Sequence, residues 1–385
     1  MAATRVCRML VLTGSLLLIA ALGAGPQDLP SAPAVDGVEP KTTGMVRVWF
    51  GQAPGAMASS FAEDEAQWLR STQAPSGLFA QTPALIDAVP YFSNFAARAL
   101  LTRDPGAARA YIHWYLDNLN LPDRWGLDGT VYDHRFEGGQ ELPRNTYDSA
   151  DSYAATFLSL VGEYLRHTGD RKLVEAYFDR LSLVASVILK LQDGDGLVRA
   201  GPQDGIKYLM DNAECYRGLH DWADILAALD LHTEAKAVRH QAERIAEGIE
   251  ARLWDRGRGA YAWGLGPKWL LRRSNLQMWY PDAVAQLYPI LYGVVPPDGD
   301  RAQSLWQRFN AAHPGWTKLD KPDLFPWVLV AKVAVLVGDT ERAETFLDMV
   351  RQRYITELDR SHPWYAMESA CFVLAHDALT KSYAP

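Results

Sequence analysis

The 385-residue sequence predicts an all-α fold of six helical hairpins, with an inner ring of apolar helices inside an outer ring of amphipathic ones. The first observation behind this is a repeated pattern. An apolar helix opens with an acidic or aromatic cluster, closes in a tight polar turn, and is followed by a more charged helix. Tyr147 to Tyr153 opens one copy and Thr168-Gly169-Asp170 turns it; Asp211-Asn212-Ala213-Glu214 opens another and Leu231 to Glu234 turns it. Phe325-Pro326-Trp327 opens a third, turned by Val337 to Thr340. A hairpin of two helices cannot bury its apolar face alone, so such units stack or close into a ring. The second observation is alternating polarity, and the third is alternating loop length.

The chain begins with Arg5 and Arg8, then an apolar run from Met9 to Leu22 and small residues at Gly23 to Gly25. Residues 1–25 read as a secretory signal, with an uncleaved N-terminal anchor as the alternative and Ala32-Pro33-Ala34 as a second possible cleavage site. Cys7 precedes the apolar run, so it is not placed as a lipoprotein cysteine. Residues 26–50 read as a Pro/Ala-rich linker, and 51–385 as one domain.

Apolar spacing places outer helices at 56–72, 105–119, 170–191, 233–254, 300–312 and 339–356. The inner helices fall at 84–103, 149–168, 211–230, 281–293, 323–337 and 364–380. Phe325 to Val337 and Trp364 to Ala375 are apolar almost all round, as buried helices should be, whereas Glu234 to Arg252 and Glu341 to Arg353 carry a charged face. Inner-to-outer turns are short, such as Thr168-Gly169-Asp170 and Gly338-Asp339. Outer-to-inner connections are long, such as Asp193 to Leu209 and Trp254 to Met278. The N-termini of the inner helices and the long loops therefore share one face, where function usually sits. Gly129 to Tyr132 and Ala260 to Trp263 are short extended candidates. Cys215 and Cys371 fall on the third and sixth inner helices, about 20 Å apart across the ring, so both should be free thiols.

Composition narrows the function. A net charge of -8 argues against nucleic acid, which needs a basic surface. No segment after the leader stays apolar long enough to span a bilayer, so no stable membrane span is expected once the signal is cleaved. Two cysteines outside the leader are too few for a disulfide scaffold or a cysteine metal site. The nine histidines form no His-x-x-x-His pair, and neither a Gly-x-Ser-x-Gly elbow nor a P-loop occurs. No metal and no cofactor is expected. Asp193-Gly194-Asp195-Gly196 lacks the downstream bidentate acid of a calcium loop and reads as a turn.

With six hairpins in place, the chain resembles the six-hairpin glycosidase superfamily and its (α/α)6 toroid over nearly all of residues 55–380. Asp151-Ser152-Tyr153-Ala154-Ala155-Thr156-Phe157, Asp193-Gly194-Asp195-Gly196-Leu197 and Trp279-Tyr280-Pro281-Asp282 carry the resemblance. It implies hydrolysis of a glycosidic bond in an oligo- or polysaccharide, in the periplasm or outside the cell, in a cleft on the face just described. It also favours inversion of configuration.

Such hydrolysis needs two carboxyl groups flanking the scissile bond. The candidates lie where inner helices begin. Glu368 is a turn and a half into its helix, beyond easy capping reach, among Trp364, Tyr365, Met367, Cys371 and Phe372. Apolar surroundings raise a carboxyl pKa, as a general acid requires, so Glu368 is the candidate acid; pairing to an Arg or Lys is the alternative. Asp151 or Asp148 is the candidate base. Asp211, Glu214 and Asp282 are candidate substrate-binding acids. Capping is the competing role for Asp148, for Asp211 with Glu214, and for Asp282. Thirteen tryptophans exceed ordinary usage. Tyr147, Trp279, Tyr280, Trp327, Trp364 and Tyr365 are candidate sugar platforms, unless they fill the core. The same toroid admits a sugar epimerase or a polysaccharide lyase, which His220 and Tyr216 keep open, or a non-catalytic glycan-binding protein.

Overall fold

The computed structural model describes residues 54–383, with side chains from Phe61 onward. The expected leader and linker lie outside the described residues. Helices dominate: α1 (Pro54–Ser71), α2 (Pro90–Leu100), α3 (Pro105–Asp117), α4 (Ala150–Thr168), α5 (Arg171–Ala176), α6 (Phe178–Leu191), α7 (Leu209–Ala228) and α8 (His232–Gly248). They continue with α9 (Tyr288–Leu291), α10 (Asp300–Ala312), α11 (Leu329–Leu336), α12 (Thr340–Val350) and α13 (Ala366–Ser382). Wide turns of π-helix extend α8 through Leu253 and α12 through Glu357.

The inner ring closes. Helix α2 packs on α4, α4 on α7, α7 on α9, α9 on α11, α11 on α13, and α13 returns to α2. Outer helices α3, α6, α8 and α12 lie against this ring. Its interior is set by small residues at the crossings. A side chain at Gly218 of α7 would place its Cβ 2.6 Å from the Ala155 carbonyl oxygen of α4, so only glycine permits that approach. Cys215 and Cys371 are both buried free thiols, as their places on opposite inner helices require.

Several inner helices are shorter than their apolar spacing suggests, and each has a local cause. Pro90 fixes the start of α2, and the residues before it pair as a strand instead. Pro281 and Pro289 lack amide hydrogens, so the fourth inner segment is a wide turn (Trp279–Ala283) followed by the short α9. Trp327 sits at φ 60°, which delays α11 to Leu329. The outer helix expected over 170–191 breaks at Tyr177, whose hydroxyl meets His113 Nδ1 at 2.9 Å.

A device repeats where outer helices end. Gln73 and Gln192 each donate to a glycine carbonyl four residues on, and to the next outer helix, at Ala107 and Gln241. Gly196 has φ +88°, and a Cβ there would lie 2.1 Å from the Arg244 carbonyl oxygen. The turn thus docks flush on α8 and starts the long loop toward the helix N-termini. Its acidic pair, Asp193 and Asp195, holds Lys207 at 2.9 and 2.8 Å.

The long loops carry small antiparallel sheets. One joins β1 (Asp87–Ala88), β2 (His134–Glu137) and β3 (Gln140–Pro143); another joins β4 (Lys207–Tyr208), β7 (Gly264–Gly266) and β8 (Leu270–Arg272). Strands β5 (Trp254–Asp255) and β6 (Ala260–Tyr261) form a hairpin. The extended expectation at Ala260 is met. At Gly129 to Tyr132 the chain is irregular, and the strand starts at His134.

Candidate active site

The site lies where the N-termini of the inner helices meet the long loops. Its floor is a buried acidic layer. Asp151 opens α4 and is fully buried; Oδ1 accepts the Ser152 amide at 2.8 Å and Oδ2 has no partner. Burial, and next the charge of Asp211, hold its carboxyl well above the usual range. Asp211 opens α7, is 1% exposed, and accepts the Ser149 hydroxyl at 3.0 Å. Burial and then the Asp148 charge push it up to about 7. One turn on, Glu214 Oε1 accepts the phenols of Tyr91 at 2.6 Å and Tyr292 at 2.9 Å, and burial raises it to about 8. These acids do not cap their helices: no side-chain cap hydrogen bond closes α4 or α7.

Above this floor stand the accessible groups. Asp148 keeps an exposed edge, yet protein crowds its other sides; burial and then the Asp204 charge bring its carboxyl to about 6. Beside it, half-buried Asp133 accepts the Tyr153 phenol at 2.9 Å, and burial raises it to about 7. Its backbone is pinned to Thr146 and Arg144 at the base of the β2–β3 hairpin. Asp133 is absent from the sequence-derived candidates because it sits in a loop, not at a helix start. Its flanking Tyr132 and His134 are the only local signal. Tyr280, half-buried in the wide turn, has its phenol held well above the usual range by burial and then by the charges of Asp148 and Asp211.

The opposite wall belongs to α11 and α13. Glu368 is 5% exposed. Its Oε2 accepts the Val328 amide at 2.8 Å, and Oε1 has a longer 3.3 Å contact from the Trp327 amide. Burial raises it to about 7 against the pull of those amides and of Lys321. Its partners are thus backbone amides rather than the Arg or Lys that sequence offered as the alternative. Trp327 packs at a tilt against Tyr280 with ring centres 4.8 Å apart and donates Nε1–H to Asp323 at 2.8 Å. Tyr365 meets Phe92 at 5.1 Å and Phe325 at 5.8 Å and, like Trp327, is buried.

Other sequence-derived candidates lie elsewhere. Trp279 packs on Phe309 and His313, and Trp364 on Tyr354 and Phe372; both are core residues between rings. Asp282 accepts the Asn275 amide at 2.7 Å and holds a loop, apart from the acidic layer. Tyr147 is buried, with its phenol on Asp123 at 2.7 Å and its ring against Trp125 at 4.8 Å. It supports half-exposed Trp125 rather than facing the cleft itself. His220 meets Glu243 of α8 at 3.1 Å and lies edge-on to Tyr216, so this pair lies between the rings and not in the cleft. Among the described residues, no group of three or more His, Cys, Asp or Glu is arranged to hold a metal ion, and no helix is long and apolar enough to cross a membrane.

Solved structures share this fold. A wild-type glycosidase matches with TM-score 0.63 and 16% identity over 86% of this chain and 99% of its own. A variant glycosidase in complex with glucose gives TM-score 0.62, 15% identity and the same coverage. A rhamnosidase from Klebsiella oxytoca with rhamnose bound gives TM-score 0.55 at 11% identity, covering 87% of this chain and 66% of its own. No protein-family model and no curated protein sequence matches the chain. At these identities the likeness is one of architecture: the chain has the six-hairpin toroid of glycosidases.

Proposed function

We propose that the protein is a glycoside hydrolase acting on an oligo- or polysaccharide. The observation that carries this is a set of carboxyls and aromatic rings gathered at the N-terminal ends of the inner helices of a closed helical toroid. Glu368 serves as general acid. Its less tightly held Oε1 is the oxygen free to carry a proton, and its raised pKa keeps that proton near neutral pH. Asp148 is the opposing base, since it alone of the Asp148/Asp151 pair meets solvent and remains mostly ionised near pH 7. Asp151, sealed beneath it with an unpartnered oxygen, supports the layer as a neutral acid.

A single displacement with inversion requires carboxyls about 6.5–9.5 Å apart, leaving room for a water beside the base. Half-buried Tyr280 and Trp125 offer faces for the apolar side of sugar rings, with Trp327 packed against Tyr280. The basic start and apolar run of the N-terminus support export to the periplasm or beyond. The test is reducing-end release across bacterial and plant glycans by wild type, Glu368→Gln and Asp148→Asn. Both variants should lose about 10²–10⁴-fold in turnover while remaining folded. Wild-type turnover by either variant would overturn its assigned role.

A further inference from the structure

A cavity of about 320 Å³ lies beyond the acidic layer, away from the N-termini of the inner helices, and all six inner segments line it. Tyr292 separates the two regions: its phenol reaches Glu214 at 2.9 Å, and it also lines this cavity. Phe95, Ile290, Leu329 and Leu374 give the cavity an apolar wall, and Leu336, 37% exposed, stands at its mouth. Its charged lining is Arg98, Arg217, Lys332 and Glu163. Lys332 is the one charged residue of α11, Leu-Val-Ala-Lys-Val-Ala-Val-Leu. An ammonium group on such a helix is costly unless something pairs with it. Lys332 is half-buried, yet among the described residues it has neither a hydrogen bond nor an ion pair. Burial, and next the charge of Arg98, lower its pKa, with Glu163 acting against them.

The carboxylates around this cavity are already engaged. Glu163 accepts Nε and Nη2 of Arg98 at 3.0 and 2.6 Å. Asp221 accepts Nε and Nη2 of Arg217 at 2.8 and 2.5 Å, and Arg166 at 2.9 Å. Asp224 is shared between Arg239 at 2.7 Å and Arg166 at 3.9 Å. Five cations thus answer three carboxylates. Nη1 of Arg98, Nη1 of Arg217 and the Lys332 ammonium are left without a partner among the described residues. Spare cationic donors beside an apolar wall match a ligand with an anionic head and an apolar body. An apolar cavity of about 150 Å³ holds one benzene, so this one has room for roughly a dozen non-hydrogen atoms. We infer that the cavity is a second ligand site, for a small organic monocarboxylate. Lys332 and the free arginine donors hold the carboxylate, and its aryl or alkyl body lies on Phe95, Leu329 and Leu374. The inference goes beyond the hydrolase reading and does not depend on it.

The experiment is calorimetric titration of the full chain with 3-phenylpropionate, octanoate, their primary amides, and sulfate. At least one carboxylate should bind with a dissociation constant at or below about 1 mM, and its amide at least about tenfold more weakly. Lys332→Met keeps the length and apolar character of α11 and should weaken carboxylate binding by about tenfold or more, while Lys332→Arg should stay within about threefold of wild type. Leu336→Glu changes an exposed position, so folding should survive, and its charge at the mouth should weaken the carboxylate about threefold or more without weakening the amide. Equal binding of acid and amide, or unchanged carboxylate binding in Lys332→Met and Leu336→Glu, would overturn the inference. So would the absence of binding by both carboxylates at about 10 mM. Sulfate binding as tightly as the carboxylates would show that the apolar wall contributes nothing and would overturn the assignment of an organic ligand.

Discussion

Glu214 gives the sharpest physical test of the acidic layer. It is 2% exposed and its carboxyl is raised from 4.5 to about 8. The folded protein therefore holds a proton that the unfolded chain releases above pH 4.5. Stability linked to this group is fully present below pH 4.5 and is lost as pH rises through 8, because the folded state binds more protons over that window. At about 1.4 kcal/mol per unit, the loss by pH 9 is on the order of 5 kcal/mol. Glu214→Gln removes the titration while its amide oxygen still accepts from Tyr91 and Tyr292. The variant should match wild type near pH 4.5 and exceed it by roughly 5 kcal/mol at pH 9, a gain of several degrees in melting temperature. Calorimetry of both proteins from pH 4.5 to 9 measures this. Parallel pH profiles would refute the argument that Glu214 is neutral in its pocket.

Activity against pH should be bell-shaped, rising as Asp148 ionises near pH 6 and falling as Glu368 loses its proton near 7, read from kcat/KM. Glu368→Gln should remove the alkaline limb and spare activated aryl leaving groups more than poor ones. At the far end of the ring, Arg98 donates to both Glu163 oxygens at 3.0 and 2.6 Å between α2 and α4. Arg98→Ala should cost about 3–5 kcal/mol by denaturant unfolding, since it strands a largely enclosed carboxylate. Gly196→Ala should destabilise by more than about 1 kcal/mol, because a methyl meets the Arg244 carbonyl and the backbone is left-handed. A wild-type unfolding midpoint would show that the turn moves freely on α8.

The acidic layer at the inner-helix starts was partly legible in the sequence. Asp148, Asp211 and Glu214 were singled out by their place where inner helices begin, and Glu368 by its apolar neighbours; the structure buries Asp211, Glu214 and Glu368 without any side-chain cap on α7 or α13. Trp279 and Trp364 were not separable from Trp327 and Tyr365, because all four lie near inner-helix starts; a shift of about 100° around a helix decides whether a ring faces the cleft or the outer layer. Asp133 escaped for a different reason. Its place depends on a hairpin register between β2 and β3, with no helical period to mark it.

The sequence by itself determined the number of hairpins, which helices are inner, and the face on which the long loops gather. Apolar period and loop length are local properties, and each is written in neighbouring residues. Tertiary structure alone decided that α13 returns to α2. It also left Asp148 in solvent while sealing Asp151 three residues later, and paired Glu368 with the Trp327 and Val328 amides just ahead of α11 instead of a basic side chain. Those outcomes depend on which residues meet across the ring, and ring closure brings together segments as distant in sequence as α2 and α13.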